Sequence, residues 1–357
     1  MNLERYNRQT ILSGFGIEAQ QKLQGSRVLV VGAGGLGVPV LTYLNAMGVG
    51  TLGIADNDVV SLSNLHRQVL FSEEDVGRSK VGVAIEKLGA QNSETVLIAH
   101  NTFVTKENAL KIIADYDMVV DASDNFPTRY LINDACVILK KPFVYGALHG
   151  FEGQVSVFNH DGGPTYRCLF PNMPKADEIP DCNENGVLGI LPGIIGNFQA
   201  LETVKVLTGV GELLAGKLLL FEGLSNTFQK IRFNATSENL KIDVLRPSYD
   251  FDCRTDYNAM DAETFLGLEE FDNVQLIDVR TPKEFEQNHL KIAQNIPLSE
   301  LNIRRNEINF DRSVYVVCQS GIRSKKAIER LVNSRPDAYF INLSGGMNQI
   351  KKHGVTY

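Results

Sequence analysis

The feature that most constrains this chain is the run RVLVVGAGGLG at residues 27–37, where the apolar residues Val28, Leu29, Val30 and Val31 break into Gly32, Gly34, Gly35 and Gly37. A short apolar run ended by glycines reads as a buried strand that turns sharply into a helix. The helix N-terminus then leaves backbone amides open toward an anion. The spacing Gly32-x-Gly34-x-x-Gly37 is the nucleotide-binding turn of a doubly wound sheet. Further short apolar runs at 51–55, 96–99 and 117–121, separated by helical patterns, predict a mostly parallel α/β sheet. The segments 154–159, 217–223 and 228–234 alternate more regularly and predict antiparallel strands that extend it.

From about residue 235 the pattern turns polar and aperiodic, which predicts a linker over 246–258 between a domain at 1–245 and a second at 259–357. The second domain reads as a small α/β unit. Its helices are expected near 260–267, 281–287 and 323–334, and its strands at 274–279, 313–318 and 338–342. The segment 186–207 is strongly apolar but carries Asn197, Gln199, Glu202 and Lys205, so it reads as a buried or interface helix rather than a membrane span.

A net charge of −7 argues against nucleic acid as a partner. Cysteines at 136, 168, 182, 253 and 318 are odd in number and scattered, which suits a reducing compartment better than a disulfide framework. The opening MNLERYNRQT lacks the apolar core of a signal peptide, so a cytoplasmic protein is expected.

The glycine turn alone does not distinguish a nicotinamide dinucleotide from ATP. Asp56, at the end of the second strand, is placed for a ribose hydroxyl in either case. The segment DNDVVSLSNLHRQ (56–68) then supplies Asn64 and Arg67, and GRSK (77–80) supplies Lys80. Three groups able to meet phosphate oxygens favour a triphosphate. After the fourth strand, DASDN (121–125) offers Asp124 to hold magnesium against polyphosphate oxygens. Asp124 with Asn125 also reads as a helix cap.

RYNRQ (5–9), GAGGLG (32–37), DNDVVSLSNLHRQ, GRSK and DASDN, in this order over about residues 1–245, resemble the MoeB/ThiF/HesA branch of the ubiquitin-activating superfamily. The resemblance implies an enzyme that adenylates the C-terminal Gly-Gly carboxylate of a ubiquitin-like carrier. Position by position, it implies that Asp56 meets the ribose, that Asn64, Arg67 and Lys80 meet the phosphates, and that Asp124 holds magnesium. It further implies a homodimer in which Arg8 reaches the triphosphate of the neighbouring subunit. Many relatives hold zinc on two C-x-x-C pairs. Here Thr165 stands in the first pair beside Cys168 and the region 246–253 has no such pair, so no zinc is expected. Cys168 is then expected to be an ordinary buried thiol, and Cys136 a core residue. Cys182, in a proline-rich polar stretch ahead of GVLG, matches a cysteine that in the family links covalently to the carrier or relays sulfur.

In the second domain, VYVVCQSGIRS (314–324) runs an apolar strand into Cys318, a small polar loop and a helix. Loop amides, the helix N-terminus and Arg323 would favour a sulfur anion at Cys318. Four residues separate Cys318 from Arg323, one fewer than phosphatase loops use, which suits a persulfide better than a phosphoester. With LIDVRTPKEFEQNHLKIAQNIPL (276–298) and LSGGM (343–347), this region resembles the rhodanese family, although Leu290 and Lys291 depart from its commonest form. Asp278 and Arg280 read as structural.

An adenylating domain joined to a rhodanese domain implies three steps. ATP activates the carrier, a Cys318 persulfide supplies sulfur, and the carrier leaves as a thiocarboxylate. A cysteine desulfurase is the implied sulfur donor. The carrier is left open among molybdopterin, thiazole, amino-acid and tRNA sulfur pathways. Two other readings remain: a nicotinamide-dependent oxidoreductase, and a non-catalytic nucleotide-binding regulator with a sulfur-sensing module.

Overall fold

A computed structural model describes residues 3–174, 186–249, 258–268, 274–335 and 337–352, and these fall into two compact units. In the first unit, α1 (Leu3–Thr10) and α2 (Gly16–Gly25) lead into β1 (Arg27–Val31). The chain continues through α3 (Gly37–Ala46), β2 (Thr51–Ala55), α4 (Lys80–Gln91), β3 (Val96–His100), α5 (Ala109–Ala114), β4 (Met118–Asp121) and α6 (Phe126–Ile138). It then runs through β5 (Phe143–His149), β6 (Glu152–Phe158), α7 (Tyr166–Leu169), α8 (Leu191–Thr208), β7 (Lys217–Glu222) and β8 (Thr227–Arg232). The eight strands make one sheet in the order β3-β2-β1-β4-β5-β6-β7-β8. The pairs among β3, β2, β1, β4 and β5 are parallel, and those from β5 to β8 are antiparallel, as the alternating segments predict.

The continuous apolar runs are explained by burial on both faces. Side chains alternate across a strand. Val28 and Val30 of β1 therefore pack with Leu41 and Leu44 of α3, Leu88 of α4 and Val204 of α8. Leu29 and Val31 pack instead with Ile112 and Ile113 of α5 and Leu131 of α6. The expected apolar helix at 186–207 is α8, buried along Leu191, Ile195, Gln199 and Thr203. No helix among the described residues is long and apolar enough to cross a membrane. β5 is an element the sequence reading does not contain. Tyr249, at the start of the expected linker, is 7% exposed, and its hydroxyl donates to Asp134 of α6 at 2.7 Å.

The second unit is wholly parallel. β9 (Asn258–Met260), α9 (Ala262–Leu266), β10 (Gln275–Asp278), α10 (Pro282–Gln287), β11 (Ala293–Asn295), α11 (Leu301–Arg304), β12 (Val314–Val317), α12 (Ile322–Ser334), β13 (Phe340–Leu343) and α13 (Gly346–Lys352) follow in turn. Their sheet order is β11-β10-β12-β13-β9. The expected helices and strands are present. β9 and β11 are additions, each only three residues long and too short to leave a periodic signal.

Candidate functional site

The first site grows out of the turn between β1 and α3. Gly32 has φ +101°, and a Cβ there would meet the Ala122 carbonyl oxygen at 2.6 Å, so the turn requires glycine. A Cβ at Gly37 would sit 1.8 Å from the Gly32 carbonyl oxygen, which makes Gly37 the point of closest approach within the turn. The turn lies where sheet order reverses between β1, β2 and β4, the place where open α/β sheets form their ligand crevice.

A cavity of about 370 Å³ opens there, lined by Gly32, Gly34, Gly35, Asp56, Asn64, Arg67, Lys80 and Asp124 among others. All the expected nucleotide-site residues except Gly37 and Arg8 are therefore brought to one pocket. Asp56 follows β2 and accepts from the Ala33 amide through Oδ2 and from the Asp58 amide through Oδ1, both at 2.8 Å, so it is locked against the glycine turn. Asn64 closes a 3-10 turn (Leu62–Asn64), accepting from the Ser61 amide at 3.3 Å. Arg67 donates to the Ser63 carbonyl at 3.0 Å. Lys80 opens α4 behind its N-cap Ser79, is 5% exposed, and pairs with Asp58 Oδ2 at 2.9 Å. Asp124 is exposed at the pocket, and the cap of α6 is Asn125, whose side chain accepts from the Thr128 amide at 2.9 Å. Arg8 lies on the exposed side of α1 and does not line the cavity.

Sequence reasoning missed two pocket residues. Asp58 is the partner of Lys80, and only its place in the same polar segment hints at that. Arg129, in the second turn of α6, is 7% exposed and lines the pocket. Its Nη2 donates to the Ser123 carbonyl at 3.3 Å, and its guanidinium carbon lies 5.4 and 5.5 Å from the centres of the Phe126 and Tyr145 rings. Beneath it, Asp121 accepts from the Ser123 amide and hydroxyl at 3.0 and 2.6 Å. Burial pushes the Asp121 carboxyl above the usual carboxylate range, against the pull of Arg129 and of the Ser123 hydrogen bonds.

The cysteines differ in setting. Cys136 is fully buried, as expected. Cys168 is not an ordinary buried thiol but half-buried. Its Sγ meets the Thr165 amide at 3.4 Å, the Thr165 hydroxyl at 3.4 Å and the Thr236 amide at 3.3 Å. Burial alone would raise the thiol, but these hydrogen bonds outweigh it and hold it below its ordinary value. Thr236 is 68 residues away in sequence, so reading the 165–168 segment could not anticipate that contact. Cys182 lies outside the described residues.

In the second unit Cys318 sits between β12 and α12, fully buried, with its Sγ accepting from the Gly321 amide at 3.1 Å and the Ser324 hydroxyl at 3.5 Å. Gly321 has φ +90°, which aims its amide into the loop. Arg323 is paired through both terminal nitrogens with Glu284 of α10, at 2.7 and 2.6 Å. Arg280 and Asp278 form a fully buried pair at 2.7 Å. Arg280 also donates to the Asn288 carbonyl at 2.7 Å and to Gln319 Oε1 at 3.2 Å, so it braces the loop from below.

The ThiF family model matches residues 6–242, and the rhodanese-like domain model matches 261–353. The chain is 41% identical to the adenylyltransferase and sulfurtransferase MOCS3 of Culex quinquefasciatus, over 92% of this chain and 82% of the relative. It is 53% identical to the sulfur carrier protein adenylyltransferase of Thermus thermophilus, over 64% of this chain and 86% of the relative. In fold it is similar to the E. coli MccB structure solved with ATP, at TM-score 0.56 and 22% identity, over 62% of this chain and 68% of that one. With nearly its whole length aligned to such relatives and the glycine-turn pocket in place, the chain belongs to the ThiF family and carries a C-terminal rhodanese-like domain.

Proposed function

We propose that the chain adenylates the C-terminal Gly-Gly carboxylate of a ubiquitin-like sulfur carrier with ATP and then delivers sulfur from a Cys318 persulfide, giving a thiocarboxylate. The observation that carries the reading is the convergence of Asp56, Asn64, Arg67, Lys80 and Asp124 on one cavity at the glycine turn. The relatives' names, adenylyltransferase and sulfurtransferase, give both activities.

ATP is the first substrate. Asp56 takes the ribose, the amides of Gly34 and Gly35 face phosphate, and Asn64, Arg67 and Lys80 meet phosphate oxygens. A carboxylate oxygen attacks the α-phosphorus and the bond to the bridging oxygen breaks, so pyrophosphate leaves with the electron pair. Arg67 and Lys80 stabilise the charge gathering on α-phosphate and pyrophosphate, and the step requires no protein nucleophile. Lys80 exchanges part of its pairing with Asp58 for phosphate.

Magnesium is commonly held by one or two carboxylates plus substrate phosphates, and Asp124, an exposed carboxylate lining the pocket, fits that pattern. When bound, magnesium neutralises phosphate charge. The exposed position of Arg8, outside the pocket of its own chain, supports a homodimer in which a second copy supplies it. We assign no zinc, because Thr165 replaces one thiolate and hydrogen-bonds Cys168 instead.

Sulfur then moves through Cys318. The Gly321 amide and Ser324 hydroxyl stabilise negative charge on Sγ. A cysteine desulfurase is the proposed donor. The outer sulfur of the persulfide attacks the acyl-adenylate carbonyl and AMP leaves; a second thiol, the role proposed for Cys182, then cleaves the S–S bond, which releases the thiocarboxylate and leaves a disulfide that an external thiol reduces. The reading is tested by ATP–pyrophosphate exchange. Exchange that appears only with a Gly-Gly-ended carrier supports it. Exchange with no carrier, or reduction of a nicotinamide, overturns it.

A further inference from the structure

Arg129 is a buried and incompletely satisfied cation among the described residues of the first unit. It is 7% exposed, yet its Nε is buried with no hydrogen-bond partner, and its one hydrogen bond is the 3.3 Å contact from Nη2 to the Ser123 carbonyl. A guanidinium has five N–H donors in a fixed fork. Leaving the Nε–H unpaired inside a protein costs free energy unless a ligand completes the set. The ring faces of Phe126 and Tyr145 hold the group in position without consuming its donors. Asp121 is close enough to bias the charge but makes no ion pair with it, and Asp121 keeps one oxygen without a partner.

Sheet order separates Arg129 from the phosphate-binding set. Asn64, Arg67 and Lys80 follow β2, on one side of the glycine turn of β1. Arg129 follows β4, on the other side, where Leu148 and Gly150, at the end of β5, line the same cavity. The phosphate-binding side chains Arg67 and Lys80 therefore lie on one wall, and a further planar cation, Arg129, faces the cavity from the opposite wall, the wall that also carries Asp124.

We propose that Arg129 binds the terminal carboxylate of the acyl substrate and orients it for attack on the α-phosphorus. This rests on the adenylation reading above. One carboxylate oxygen forms the new bond to phosphorus, and the other keeps the hydrogen bonds to the fork. As the mixed anhydride forms, that second oxygen becomes a neutral carbonyl oxygen and the negative charge leaves with pyrophosphate. Arg129 thus holds the reactant more tightly than the acyl-adenylate. It acts mainly on substrate binding, and its loss raises KM for the carrier more than it lowers kcat.

The experiment uses the full chain and a recombinant Gly-Gly-ended ubiquitin-like carrier in two forms, free carboxylate and C-terminal amide. Wild-type protein with a non-hydrolysable ATP analogue is expected to bind the carboxylate form roughly ten- to a hundredfold more tightly, the range of one charge-assisted hydrogen-bond pair. Arg129→Gln is expected to lose that preference and to raise KM for the carrier by a similar factor, with KM for ATP within about twofold of wild type. Arg129→Lys, which keeps charge but not the fork, is expected to keep part of the preference. An Arg129→Gln protein with normal ATP binding and the wild-type preference overturns the proposal. So does a wild-type protein that exchanges normally but binds both forms equally, and that result leaves adenylation standing. Absence of exchange with any Gly-Gly-ended carrier overturns both readings together.

Discussion

Replacing Glu284 with glutamine isolates the contact that fixes the entry of α12 beside Cys318. Glu284 has two duties. It closes a capping box with Thr281, accepting from the Thr281 amide and hydroxyl at 3.0 and 2.9 Å, and it pairs with both terminal nitrogens of Arg323. Glutamine keeps the first duty, since either side chain closes such a box, and removes the charge from the second. The pairing with Arg323 holds the Glu284 carboxyl at about 2, against an ordinary 4.5, which in a dry site corresponds to roughly 3 kcal/mol. The Glu284 side chain is 32% exposed, so solvent screening reduces this to about 1–2 kcal/mol. For a unit of roughly 100 residues that is a loss of about 5–15 °C in thermal midpoint. Because the folded carboxyl titrates lower than the unfolded one, the stabilisation is present above pH 4.5 and fades as pH falls toward 2. The assay heats full-length wild type and Glu284→Gln at pH 7 and follows residual thiosulfate sulfurtransferase activity, with ATP–pyrophosphate exchange as the control. The sulfurtransferase midpoint should fall and the exchange midpoint should not, and the gap should stay level from pH 8 to 5 and narrow below 4.5. Equal sulfurtransferase midpoints at pH 7 would refute the claim that this pair anchors the loop.

Gly37→Ala should abolish nucleotide binding and destabilise the first unit, because its Cβ would sit 1.8 Å from the Gly32 carbonyl oxygen; isothermal titration with ATP checks it, and wild-type affinity would contradict the turn geometry. Cys318→Ser should retain ATP–pyrophosphate exchange and lose thiosulfate sulfurtransferase activity; thiocarboxylate formation at the wild-type rate from a persulfide donor would remove the rhodanese loop from the path. Asp124→Ala and Arg8→Ala should each abolish exchange, and mixing the two inactive chains should restore part of it. No recovery in verified heterodimers would mean that Arg8 does not act across an interface.

What sequence made legible was local. The glycine turn is encoded by residues within one strand–turn–helix unit, and its φ and close-approach demands fall on Gly32 and Gly37 themselves. Asp56 is read from its place at a strand end, and Cys318 from an apolar strand running into a small polar loop, because in each case the backbone that positions the side chain is its own neighbour in sequence. The antiparallel extension was legible from the alternating residue types Gln154, Val155, Ser156 and Val157, although Val155 through Phe158 of β6 are all buried, so the alternation does not mark a solvent face.

What remained hidden depends on contacts between distant segments. β5 is buried over its first five residues, so it shows no alternation, and it follows α6 through Lys140, whose φ of +53° breaks the chain without a glycine to mark the turn. Arg323 reads as a free positive charge until α10, 39 residues earlier, supplies Glu284. Arg129 is the sharpest case. By spacing it is one polar position near the start of a helix, and such a residue is ordinarily solvated. Its importance arises because α6 lays it against Tyr145 of β5, the strand the pattern did not reveal, and because the two walls of the pocket are divided by a sheet order that is set only when β4 pairs with β1. A missed strand therefore has a chemical consequence: without β5, nothing in the sequence distinguishes an arginine that meets water from one that waits, buried and unpaired, for a carboxylate.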